Sequence, residues 1–246
     1  MAASSGVSGR VELSLRRDYH EPDMRVVFEI GPKGKKVVAV APDWPGLERG
    51  AKTAEAALER VRAYLPRYAR VAALANMDAE FAHGCTALDV VEEYPGTGST
   101  DFWGISFAFS NIDRQDMSNE ELARELKLMQ AGWALFDDVR SRVSAELRQG
   151  PRGGGRQRDL IVRHVVRTEQ EDFAKKVGLR RPELPQGVMP IDEDLRAQRE
   201  EFSAAIRAFH GQGKTARTWP LRYLIRHTAY HTLDHTWEME DRDLTA

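Results

Sequence analysis

Residues 226–238 read Arg226-His227-Thr228-Ala229-Tyr230-His231-Thr232-Leu233-Asp234-His235-Thr236-Trp237-Glu238. Histidines recur every fourth residue. In a helix each imidazole lies one turn above the last and drifts by about 40° around the axis. Neighbouring members of the series can chelate one metal ion, as histidines at i and i+4 do in zinc enzymes. The outer pair cannot, because roughly 12 Å of helical rise separates His227 from His235 and each nitrogen must come within about 2.1 Å of the ion. One adjacent pair is therefore the candidate, and a third ligand must come from another element. Without a metal, the same histidines are solvated or satisfied in a core.

Working upstream, the chain supplies the other helices that such a site needs. Ser118-Asn119-Glu120-Glu121 is a helix start signal, and Leu122, Leu126, Met129, Trp133, Phe136, Val139 and Val143 form one apolar stripe toward Leu147. The basic, glycine-rich stretch 148–158 lacks the Gly-Lys-Ser/Thr ending of a phosphate loop and reads as a linker. A second helix is expected over Arg158 to Val177, ended by Gly178, and a third over Asp192 to Phe209. Trp219-Pro220 opens the fourth, which carries the histidines to about Asp241. Four amphipathic segments with short breaks predict a four-helix bundle over residues 117–241, and bundles build metal sites from side chains on facing helices. His164 is the best third ligand: in Leu160-Ile161-Val162-Arg163-His164-Val165-Val166 a neutral, metal-bound imidazole is tolerated where a charged one is costly. A half-buried His bonded to backbone is the alternative. Asp234 and Glu238 each lie three residues beyond a histidine on the last helix. Either can orient an imidazole or serve as general base.

The first half, residues 10–113, carries strand patterns and predicts a small α+β unit, so the fold class of the whole is α+β. Val11 to Leu15, Arg25 to Ile30 and Lys36 to Val40 read as strands, the last two joined by Gly31-Pro32-Lys33-Gly34. Asp43-Trp44-Pro45-Gly46 is a turn, Thr53 caps a helix, and Thr86 to Glu93 and Phe102 to Phe109 are further strand candidates. Trp103, Phe107 and Phe109 fit either a strand core or the surface of a homodimer.

Composition narrows the function classes. The chain has 246 residues, 41% of them hydrophobic, and a net charge of −2. With a pI near 6.4, no dedicated nucleic-acid binder is expected. No run reaches the roughly 18 apolar residues of a membrane span, and residues 1–9 read as a loose tail rather than a signal peptide. The single cysteine, Cys85, excludes an internal disulfide framework and fits a reducing, cytoplasmic setting.

The segment Arg158 to His164 together with His231-x-x-x-His235 resembles the DinB-like superfamily of metal-binding four-helix bundles, over about half the chain. The resemblance implies His164, His231 and His235 as ligands of a divalent metal, zinc or nickel, with His227 one turn outside. It also implies a small-molecule substrate and a metal-dependent transferase or isomerase activity, with a low-molecular-weight thiol as co-reactant. Val37 to Leu47 followed by Thr53-Ala54-Glu55-Ala56-Ala57 is similar to HicB-like antitoxin folds, which implies a folding or interaction module. No DNA-binding segment accompanies it. The alternative to an enzyme is a non-catalytic binding protein whose α+β module recruits a partner.

Overall fold

The computed structural model describes residues 24–150, 155–182, 184–185 and 187–245. The strand expected at Val11 to Leu15 and the expected tail lie outside these residues, as does the centre of the glycine-rich linker.

The chain is an α+β protein. Four strands, β1 (Met24–Ile30), β2 (Val37–Val40), β3 (Glu48–Ala51) and β4 (Leu88–Pro95), form one sheet in the order β3-β2-β1-β4. The β1–β2 hairpin is antiparallel with Ile30 opposite Val37, as its glycine-containing loop predicts. β3 follows the Asp43–Gly46 turn and pairs antiparallel with β2. Its sequence Glu-Arg-Gly-Ala carries no β-branched residue, so only the pairing reveals it as a strand. Thr53 caps α1 (Ala54–Leu74) by accepting a hydrogen bond from the Ala56 amide at 3.2 Å. After α2 (Asp78–Gly84), β4 joins the sheet parallel to β1.

The strand expected at Phe102 to Phe109 does not form. Thr97 and Thr100 make a capping box that starts α3 (Gly98–Trp103), and Gly104 closes it in the left-handed conformation at φ 72°. Beyond Gly104 the chain wraps around Glu29, which is buried in β1. The Glu29 carboxylate accepts from the amides of Phe107 and Ala108, both at 3.0 Å, and from the Ser106 hydroxyl at 2.7 Å. Amides that a ladder would have used are taken by one side chain, and the alternating apolar pattern yields a loop instead.

Helix α4 (Asn119–Arg142) begins with the Ser118–Glu121 capping box and ends five residues earlier than Leu147, which bridges to Asp243 near the C-terminus. The second helix is not uniform: α5 (Arg158–Thr168) widens into a π turn at Glu169–Phe173 and tightens into a 3-10 turn at Ala174–Val177. It stops at Gly178, φ 82°, where a left-handed cap was expected from sequence. Helices α6 (Asp192–Gly211) and α7 (Leu221–Asp241) complete the chain. Among the described residues no helix is long and apolar enough to cross a membrane.

Two apolar clusters position α7. One runs from the sheet and α1 into α4, α5 and α7, through Val26, Phe28, Val61, Tyr68, Phe136, Ile161 and Trp237. The other joins α4, the turns after α5, α6 and α7 through Met129, Trp133, Phe173, Phe202, Ile206 and Ile225. Residues Leu221 to Tyr230 are consequently buried without a break, so polar side chains in that stretch need internal partners. Arg226 has them. Its Nε donates to Asp113 at 2.7 Å and its Nη1 to Glu48 at 3.0 Å, tying α7 to β3 and to the loop that Glu29 organises.

Candidate metal centre

Helix α7 presents His231 and His235 one turn apart, and α5 presents His164 against them. The three rings form a near-equilateral triangle, with centroids 5.0 Å apart for His164–His231, 4.9 Å for His164–His235 and 4.8 Å for His231–His235. One ligand nitrogen from each lies within 4.8 Å of the other two. His164 Nε2 and His231 Nε2 stand 3.2 Å apart. Two nitrogens bound to one tetrahedral zinc stand about 3.3 Å apart, given bonds of roughly 2.0–2.1 Å. The donor set therefore suits a borderline divalent ion of the zinc or nickel kind.

Two further features fit this assignment. Burial pushes His164 down to about 4, and repulsion from Arg156, His235 and Arg167 adds to it. Burial also takes His231 well below its ordinary range, with His235 and His164 reinforcing the shift. Both rings are thus neutral at physiological pH, the form in which imidazole binds a metal. Glu238, half-exposed on α7, lies 2.7 Å from His235 Nδ1, and its other oxygen accepts from Arg242 at 2.9 Å. A carboxylate on Nδ1 fixes the proton there and leaves Nε2 with its lone pair.

The remaining candidates are placed elsewhere. Asp234 is not brought to the three histidines; it faces β3 and pairs with Arg49 at 3.5 Å. His227 stays one turn outside, buried in an aromatic cage where it stacks on Tyr223 at 5.1 Å and meets Phe107, Phe173 and Trp219 edge-on or tilted. His210 closes α6 by donating from Nε2 to the Met117 carbonyl at 2.7 Å. Cys85 caps α2 in the sheet unit and donates its thiol to the Ala82 carbonyl.

A cleft of about 520 Å³ opens beside His164, lined by Leu160, Arg163, Arg167, Leu184 and Met189 among others. Leu160, Arg163, His164 and Arg167 follow the i, i+3, i+4, i+7 pattern of one helix face. That stripe is present in the sequence, but two arginines beside a histidine in an apolar helix read as solvated surface until the cleft is seen. The Arg226–Glu48–Asp113 network carries no local signal, because its members lie far apart in the chain.

Compared with protein-family models, curated proteins and solved structures, the chain matches none of them.

Proposed function

We propose that the chain is a divalent-metal protein of DinB-like type, in which His164, His231 and His235 hold zinc or nickel and the bound ion acts on a small molecule. The observation that carries this reading is the triangle of imidazoles drawn from two helices, with two of its members held neutral by burial. When bound, the ion would supply a Lewis acid with positions left for ligands other than protein, which can acidify a thiol or polarise a carbonyl. The chain's own residues then have separate tasks. Glu238 orients His235 and secures its tautomer, and Arg242 in turn holds Glu238. The cleft beside His164 receives the organic reactant.

A low-molecular-weight thiol is the proposed co-reactant and transfer or isomerisation the proposed reaction class. The lone Cys85 sits in the sheet unit, so a reacting thiol would come from solution, in keeping with a reducing cytoplasm. The test is to load the protein with zinc or nickel and follow consumption of small thiols in the presence of electrophiles. Turnover that disappears in His231→Ala supports the reading; turnover that persists in that variant contradicts it.

A second reading, an interaction module in the sheet unit, is favoured by Phe102 and Trp103. These neighbours in α3 are 68% and 63% exposed and pack edge to face at 4.5 Å. Loss of a co-purifying partner on changing both to Ser would support it.

A further inference from the structure

The cleft that meets His164 has a chemistry of its own. Leu160, Leu184 and Met189 give it apolar lining, and Leu160 is 54% exposed although it sits on a helix with a well-buried opposite face. Arg163 and Arg167 also line it. Arg163, which lines the cleft, donates from one terminal nitrogen to the Val188 carbonyl and so ties the chain after Leu184 to α5. Among the described residues Arg167 has one loose ion-pair contact, to Glu171 at 3.8 Å from Nε, and its side chain is 64% exposed.

Among the described residues the other carboxylates nearby are engaged elsewhere. Asp159 lines the cleft but accepts from Arg158 at 2.8 Å. Glu238 is taken up by His235 and Arg242. Arg156 adds a further positive charge, near enough to depress both His164 and His231. A divalent ion on three neutral imidazoles would bring two more. Apolar surface beside two guanidinium groups that, among the described residues, form no close carboxylate pair is complementary to an amphiphilic anion, since arginine binds carboxylate and phosphate through paired N–H donors. The volume is that of a small-molecule site, within the range of about 300–1,000 Å³.

We propose that the substrate of this site is a small organic anion, a carboxylate or phosphate on an apolar body, whose charged group is clamped by Arg163 and Arg167 beside the metal ligand His164. This assignment rests on the metal reading above, and the experiment separates the two. Cobalt(II) is loaded in place of zinc, and its visible ligand-field bands report on the centre without any assay of activity. Benzoate and phenyl phosphate are then titrated in, with benzamide as the neutral counterpart of benzoate.

The expected result is a saturable change of the bands with both anions and none with benzamide at the same concentration. Arg167→Gln and Arg163→Gln should each weaken anion binding by about tenfold, the scale of one charge-assisted hydrogen bond, with cobalt still bound at one per chain. Arg167→Gln is the cleaner variant, because Arg163 also holds the Val188 carbonyl. Cobalt uptake with no response to either anion, an equal response to benzamide, or affinities unchanged in both variants would overturn the proposal while leaving the metal reading intact. Failure to take up cobalt would overturn the metal reading, and the anion assignment with it.

Discussion

His235 Nδ1 and Glu238 Oε2 stand 2.7 Å apart on consecutive turns of α7. The carboxylate is itself held below its usual range, first by this hydrogen bond and further by the charge of His235 and a hydrogen bond from Arg242. An ionised acceptor on Nδ1 leaves the lone pair of the ring on Nε2, the nitrogen such a ring offers to a metal. Glu238→Ala is expected to lower metal affinity about 10–100-fold, the usual effect of removing a partner that orients a ligand, while saturating metal still fills one site per chain. Competition with a chelator measures it. Unchanged affinity would make Glu238 an ordinary surface acid.

Asp234 gives the matching control. It pairs with Arg49 at 3.5 Å and its side chain is 45% exposed. Asp234→Asn should leave metal affinity unchanged, because its partner is Arg49 in β3 and not one of the three histidines. A loss of affinity comparable to that in Glu238→Ala would assign Asp234 a role at the centre.

Arg226 is the buried link between the sheet unit and the helix that carries the ligands. Removing it in Arg226→Ala leaves Glu48 and Asp113 buried without their cation, a loss of about 3–5 kcal/mol. Burial already raises Glu48 to about 7, and without Arg226 it would be driven to protonate. Urea denaturation reads the cost. A change under about 1 kcal/mol would mean that the network relaxes easily.

Gly46 ends the turn after β2 at φ 94°, and a Cβ placed there would meet Leu233 Cδ1 at 2.7 Å. Side chains are strained at that φ whatever the space. Here the obstacle is also α7, two residues from His235. Gly46→Ala should therefore cost about 1–3 kcal/mol through overpacking and backbone strain, seen as a lowered thermal midpoint.

Burial in the aromatic cage pushes His227 down to about 3, and repulsion from Arg226 and Lys176 adds to it. Its folded value lies below the unfolded one, near 6.5, so the unfolded chain takes up the proton first. The stability this neutral ring contributes is present above pH 6.5 and is lost as the pH falls toward its folded value. Glu125, raised to about 8 by burial, acts in the opposite direction, so the informative quantity is a difference between variants. His227→Phe should lose less stability than the unmodified protein between pH 6.5 and 4, measured on metal-free samples by urea denaturation. Parallel profiles would show that His227 does not titrate as its burial implies.

The parts of this fold that are legible in the sequence are those decided locally. Thr53 and the Ser118–Glu121 box start their helices, and Gly178 ends one, where their own chemistry requires, and the β1–β2 hairpin follows from its loop. His164, His231 and His235 are legible because helical spacing brings two together and an apolar helix offers the third. Phe102 to Phe109 is misleading, since its outcome depends on Glu29, more than seventy residues earlier in the chain. The π turn after α5, which carries Phe173 to the rings of His227 and His231, has no sequence signature comparable to a cap. The facing of Asp234 depends on Arg49 in a strand whose composition does not announce it.

Elemental analysis of the tag-free protein, beside His164→Ala and His231→Ala, tests the central claim most directly. The account predicts about one zinc or nickel ion per chain in the unmodified protein, as three protein ligands on one ion require, and its loss in both variants. Absence of metal, with none taken up from added zinc or nickel, or metal retained in full by both variants, would contradict it.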